Sequence, residues 1–223
     1  MGLDMYLNKY PRYKNATPDD MYTVENFLSY IQHKIDDNKR KYTFEEWCGL
    51  KLNDINIEFV EFYSSFYEKK YPNWDKAKQY GWYRISDEIG YWRKANAIHY
   101  WFVKNVQNDV DDCGCYEVCK DQLENLLSTC KRVKEIAVLE YSLVSDGVRF
   151  ENGQAIHNYV NGKVIANKDE IAAILPSCGG FFFGSTDYDE YYMQDIEETI
   201  NILEKVLAET DFDKYVVYYH SSW

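Results

Sequence analysis

The chain has 223 residues, is 46% hydrophobic and 28% charged, and carries a net charge of −12. That length and balance fit one large globular domain, or a core with an inserted lobe, and exclude a disordered chain. A protein this acidic repels phosphate backbones, which excludes general nucleic-acid binding but leaves room for a small anion held by a local basic cluster.

No apolar run approaches the ~18 residues of a membrane span. The segment Met1-Gly-Leu-Asp-Met-Tyr-Leu7 has no basic flank, and Tyr6 stands where a myristoylation signal needs Ser or Thr. The expectation is therefore no secretory leader, no membrane partner and a cytoplasmic location. Six cysteines without an export signal are expected to be reduced thiols. Cys113, Cys115, Cys119 and Cys130 form one cluster, but their spacing matches no common zinc finger, so neither metal nor cofactor is predicted. The 22 tyrosines provide stacking surface for a ring-bearing ligand, although A/T-rich codon usage explains an excess of Tyr equally well.

In chain order, residues 2–8 read as a first strand. Thr17-Pro18-Asp19-Asp20 starts a helix carrying Met21, Val24, Phe27, Leu28 and Ile31 at helical spacing. Thr43-Phe-Glu-Glu46 is a capping box, residues 57–69 form a helix with Phe59, Phe62 and Phe66 on one side, and Tyr71-Pro-Asn-Trp74 breaks it. Residues 15–80 thus read as a helical insertion. Tyr91 to Lys104 reads as one helix, with Trp92, Ala95, His99, Phe102 and Val106 on one face and Arg93, Asn96, Tyr100 and Lys104 beside it. Asn108 to Gly114 is an acidic turn, and Lys120 to Val133 a helix.

Residues 136–166 alternate, with hairpin signals at Asp146-Gly147, Asn152-Gly153 and Asn161-Gly162, and read as a β-ribbon. Asn167 caps a short helix ending at Pro176. Phe181-Phe-Phe183 reads as an apolar strand, Asp187-Tyr-Asp-Glu190 as the start of a helix over 188–208, and residues 214–219 as a last strand. The predicted fold is one α+β domain over 1–223. Its small, mostly antiparallel sheet contains both terminal strands and is packed with several helices.

Two places carry chemistry. Arg93 and Lys94 are adjacent cations in an acidic chain, suited to a phosphate or carboxylate, with Asn96 able to read an amide or purine edge and His99 able to donate or exchange a proton. The other is the glycine-flanked Phe181–Phe183 segment running into Ser185, Thr186 and Asp187. Asp187, Asp189 and Glu190 satisfy the helix start internally, which suits ribose hydroxyls better than a phosphate there. Both places also have plain structural readings, as a solvated helix with a core histidine and as a capped helix. The candidate ligand-binding set is Trp92, Arg93, Lys94, Asn96, His99, Phe181, Phe182, Phe183, Ser185, Thr186 and Asp187. No phosphate loop, dinucleotide fingerprint, zinc-protease motif or nucleophile elbow occurs, and no catalytic residue is assigned.

The first seven residues, Tyr91-Trp-Arg-Lys-Ala-Asn-Ala-Ile-His99, Asp111-Asp-Cys-Gly114, Gly180-Phe-Phe-Phe-Gly-Ser-Thr-Asp-Tyr-Asp-Glu190 and the terminal Tyr-His-Ser-Ser-Trp223 resemble a family of uncharacterised proteins of tailed bacteriophages and prophages. Its members often carry the label phosphoglycerate kinase, which fits neither this length nor the missing nucleotide-binding pattern. The resemblance implies an accessory factor acting in the host cytoplasm. The expectation built on it is a homo-oligomeric sponge that withholds a small nucleotide-derived immune signal. The alternatives are a hydrolase or transferase on a nucleotide or sugar phosphate, with His99 and an acid such as Asp187 as its working pair, and a protein–protein inhibitor of a host factor. The small-molecule readings require the Phe181–Phe183 segment and the Arg93 segment to wall one cavity.

Overall fold

The structure, a computed structural model, describes residues 2–35, 41–70, 85–151, 154–180 and 182–223. The fold is α+β, with seven helices among the described residues, a four-stranded antiparallel sheet and a two-stranded hairpin sheet. The sheet order is β2 (Asp87–Arg93), β1 (Asp4–Pro11), β6 (Tyr215–Ser222), β3 (Cys115–Val118), so the two terminal strands lie side by side at its centre. Strand β3 pairs antiparallel with β6, Cys115 opposite His220 and Val118 opposite Val217. No described helix is long and apolar enough to cross a membrane.

The chain divides into two compact units. One comprises Lys9–Asp87 and Asp213–Val216. It holds helices α1 (Pro18–Ile35), α2 (Phe44–Cys48) and α3 (Ile57–Lys70). Thr43 caps α2 through the predicted box: its hydroxyl accepts from Glu46 N, and Glu46 accepts from Thr43 N at 2.8 Å. Met21, Val24, Tyr30, Phe44, Phe59 and Tyr63 are buried, with Phe44 edge-on to Phe27 and Tyr63 donating to Pro11 O. The expected break at 71–74 lies outside the described residues.

The other unit comprises Met1–Asn8, Glu88–Phe212 and Val217–Trp223. It holds α4 (Asn96–Asn105), α5 (Lys120–Ile136), the ribbon strands β4 (Leu139–Glu151) and β5 (Gln154–Ile165), α6 (Lys168–Ile174) and α7 (Glu190–Glu209). Its core joins Leu3, Met5 and Leu7 to the stripes of α5 and α7, where Leu123, Leu126, Ile196 and Leu203 are fully buried. Each such side chain contributes roughly 1.5–3 kcal/mol by leaving water. Phe102 stacks on Tyr219 with ring centroids 3.9 Å apart, which fixes α4 against β6.

Several local expectations differ from the structure, and the Asn152-Gly153 turn signal lies outside the described residues. The single helix over 91–104 is instead the end of β2, a corner and α4. Trp92 and the apolar residues of α4 enter the same core, so a strand and a helix together imitate helical spacing. Lys94 at the corner has φ 62°, a left-handed conformation no helix interior allows. Phe182 and Phe183 lie in an irregular loop rather than a strand, Phe182 with φ 68°. Asn161-Gly162 is strand rather than turn, and the glycine serves close packing: a Cβ there would come within 2.6 Å of Val144 and 2.5 Å of Glu190. The cap of α7 is Asp189, not Asp187. Strand β3 was not foreseen; four residues beside a cysteine-rich turn offer too little pattern.

The hairpin aligns Glu151 with Gln154, and its register shifts between Ser145 and Val148, where Asp146-Gly147 forms the bulge. Two ties hold the ribbon base to the start of α7. Val164 bridges Asp189, and Ile165 N donates to Tyr188 O at 2.9 Å. Asn167 precedes α6 without capping it. Its side chain accepts from Val138 N and donates to Ile136 O, stapling the end of α5 to the ribbon.

Candidate functional site

A cleft of about 850 Å³ lies wholly within the second unit described. Three segments wall it. The β2–α4 corner contributes Arg93, Lys94, Asn96 and Ala97. The ribbon contributes Ser145, Gly147, Val148 and Tyr159, with Ser145 and Tyr159 directly opposite in register and so on one face. The loop before α7 and its first two turns contribute Gly184 to Asp187, Asp189, Tyr191, Tyr192, Gln194 and Asp195.

The corner and the loop are held together by Asn96. Its amide donates to Ser185 O at 2.7 Å and Phe183 O at 3.3 Å, and its carbonyl accepts from Cys178 N at 3.2 Å. Asn96 therefore lines the cleft but spends its polar atoms on shaping the loop. Gly184 completes the contact: with φ 94° it stands where a side chain would press on Lys94 at 3.3 Å. Left-handed backbone at Lys94 and Gly184 thus meets at one corner of the cleft. Such strain persists only where surrounding contacts impose it.

The side chains of Arg93 and Lys94 are exposed and make no hydrogen bond or ion pair with another described residue. Ser185 Oγ donates to Asp187 at 2.8 Å and accepts from Asp187 N at 3.1 Å, closing a small turn that presents Thr186 outward. Asp189 accepts from Tyr191 N and Tyr192 N at 2.9 and 3.1 Å, so the helix start is already occupied by a carboxylate. Burial raises the Asp189 carboxyl above its ordinary range, although those two N–H groups pull it down. Burial also pushes the Asp195 carboxyl to about 7, with Glu198 and Asp189 adding to the effect.

Six of the candidate residues, Arg93, Lys94, Asn96, Ser185, Thr186 and Asp187, come together on this cleft. Trp92, Phe182, Phe183 and His99 do not. Trp92 is 1% exposed and donates to Thr199 at 2.9 Å within the core. Phe183 is 5% exposed, edge-on to His99 and Trp223. Phe182 is 49% exposed but off the cleft, and Phe181 lies outside the described residues. His99 is 1% exposed, hydrogen-bonded to Tyr219 Oη at 2.7 Å and Asp111 at 3.0 Å. The expected His99–Asp187 pair is therefore split, since Asp187 lines the cleft and His99 is locked beneath Phe183.

The cleft takes its aromatic surface from Tyr159, Tyr191 and Tyr192 instead. Tyr192 is fixed by donation to Leu175 O at 2.8 Å, while Tyr191 is exposed. Asp195 was also missed, though a signal existed: it follows Tyr191 and Tyr192 by four and three residues and so shares their helix face. Tyr159 had no such signal, because its position depends on the ribbon register. Among the described residues no group of three or more His, Cys, Asp or Glu is arranged to hold a metal ion. Comparison with protein-family models, with curated proteins and with solved structures returns no match.

Proposed function

We propose that the protein binds a small nucleotide-derived anion in this cleft and withholds it from other proteins. In this reading it is a phage-encoded factor in the host cytoplasm, and the ligand is a nucleotide-based immune signal of the host. One observation carries the reading. Two adjacent cations without partners among the described residues share a cleft with a hydroxyl- and carboxylate-bearing turn and with tyrosine rings. Arg93 and Lys94 would neutralise the phosphate, Thr186 and Asp187 would meet ribose hydroxyls, and Tyr159 and Tyr191 would stack on the base. The volume of about 850 Å³ falls within the roughly 300–1,000 Å³ of small-molecule sites.

Sequestration is favoured over turnover because buried His99 pairs with Asp111 and neither lines the cleft, which leaves Asp187 there without the histidine. The competing reading, a hydrolase or transferase on a nucleotide or sugar phosphate, draws support from one residue. Asp195 titrates near neutral pH and lines the cleft, as a general acid or base needs to. The test is to incubate the purified protein with lysate of defence-activated bacteria, re-isolate it, denature it and identify what is released by mass spectrometry. An intact nucleotide is the expected result. Release of a cleaved or transferred product would favour the enzyme, and release of no small molecule would refute both readings. Light scattering on the same preparation reads the oligomeric state, for which an assembly of identical chains is proposed.

A further inference from the structure

Arg93 and Lys94 are the unpartnered cations of the cleft, and the carboxyl of Asp195 is an acid of the same cleft that also lacks a partner among the described residues. It lies on α7, one turn beyond Tyr192, and makes no hydrogen bond or ion pair with any described residue. Asp195 is half-buried at the cleft wall on the helix face of Tyr191 and Tyr192, so its free carboxyl is placed to bond a ligand held between them.

Its surroundings determine which form it takes. On its own helix stand Glu198 and Tyr192, and at the helix start Asp189. Across the cleft the corner presents Arg93 and Lys94, the loop Asp187 and the ribbon Tyr159. The groups that act on Asp195 most strongly are the two acids, Glu198 and Asp189, together with burial. All three favour the protonated carboxyl, and no cation opposes them. A protonated carboxyl is a hydrogen-bond donor, whereas an ionised one only accepts.

We propose that Asp195 is a specificity-determining residue of the cleft, donating a hydrogen bond from its protonated carboxyl to a carbonyl oxygen or unprotonated ring nitrogen of the bound nucleotide's base. The proposal rests on reading the cleft as a nucleotide site and adds what that site recognises. The ligand is an anion at one part and a neutral ring bearing an acceptor at another.

The test is calorimetric titration of cyclic AMP, cyclic GMP and cyclic UMP at about pH 6 and about pH 8. Their phosphodiester charge is constant over that interval, unlike that of a phosphomonoester with a second pKa of about 6. A group titrating at about 7 is roughly nine-tenths neutral at pH 6 and roughly one-tenth neutral at pH 8. The parent protein is therefore expected to bind the tightest of the three probes about tenfold better at the lower pH. Asp195→Asn, whose amide still donates, is expected to hold the higher affinity at both pH values. Asp195→Ala is expected to bind about tenfold more weakly than Asp195→Asn at both.

Equal affinity of the Asn and Ala variants would overturn the proposal, because relief of simple charge repulsion predicts that result. So would a parent protein with the same affinity at both pH values. If no probe binds at either pH, the nucleotide reading fails and takes this inference with it.

Discussion

Replacing Asp195 with Asn removes a group that the folded protein disfavours in its charged form. An unfolded aspartate ionises near 3.8, while burial, with Glu198 and Asp189, pushes this one to about 7. The native state therefore holds the proton more tightly than the unfolded chain. Stability is fully present below the lower value and is lost as pH rises through the higher one. At about 1.4 kcal/mol per pH unit, the gap between the two sets a ceiling of about 4 kcal/mol. The Asn amide, left without a partner at the same place, costs about 2 kcal/mol of its own at every pH, which leaves about 2 kcal/mol. Asp195→Asn should thus be more stable than the parent by about 2 kcal/mol at pH 8. The advantage should shrink to less than half of that near pH 5, where most of the window has been crossed. Urea titration at both pH values reads the difference as a shift of roughly 1 M in midpoint. An offset identical at the two pH values, or a variant less stable than its parent at pH 8, would refute the reasoning.

Asn96→Ala removes the three hydrogen bonds that tie the 178–185 loop to the corner, and should cost about 2–3 kcal/mol. Hydrogen exchange should show amides of that loop exchanging faster in the variant, with the centre of α5 unchanged. Lys94→Gly exchanges a strained cation for the residue its φ of 62° prefers. Relief of roughly 1 kcal/mol is offset by a freer unfolded chain, so stability should stay within about 0.5 kcal/mol while ligand affinity falls about tenfold. Gly162→Val would drive a side chain into Val144 and Glu190 at the junction of the ribbon and α7. It should cost about 1–3 kcal/mol, read by thermal unfolding, and weaken binding because Tyr159 and Tyr191 lose their relative placement.

The parts of the fold that repeat a period were legible in the sequence. The α7 stripe, the Thr43 box and the alternation of the ribbon each have local causes, and each is where the sequence places it. The segment from Tyr91 to Lys104 was not, because Trp92 from a strand and Phe102 from a helix enter one core at helical spacing. Only the left-handed Lys94 separates them, and a lysine gives no warning of that conformation. The polar half of the candidate site was readable as charge and hydroxyl chemistry in two short segments. Its aromatic half was not. Three consecutive phenylalanines outweighed scattered tyrosines on the page, yet Phe183 is drawn into the core against His99. Tyr159 reaches the cleft through pairing across from Ser145, a contact fourteen residues apart that no local pattern encodes.

The most direct measurement compares the parent protein with an Arg93→Ala, Lys94→Gly double variant after identical exposure to defence-activated lysate, by mass spectrometry of what each releases on denaturation. The parent should yield an unmodified nucleotide in near-stoichiometric amount, and the double variant, equally folded by circular dichroism, should yield almost none. The same species recovered equally from both would contradict the assignment of the cleft as its binding site.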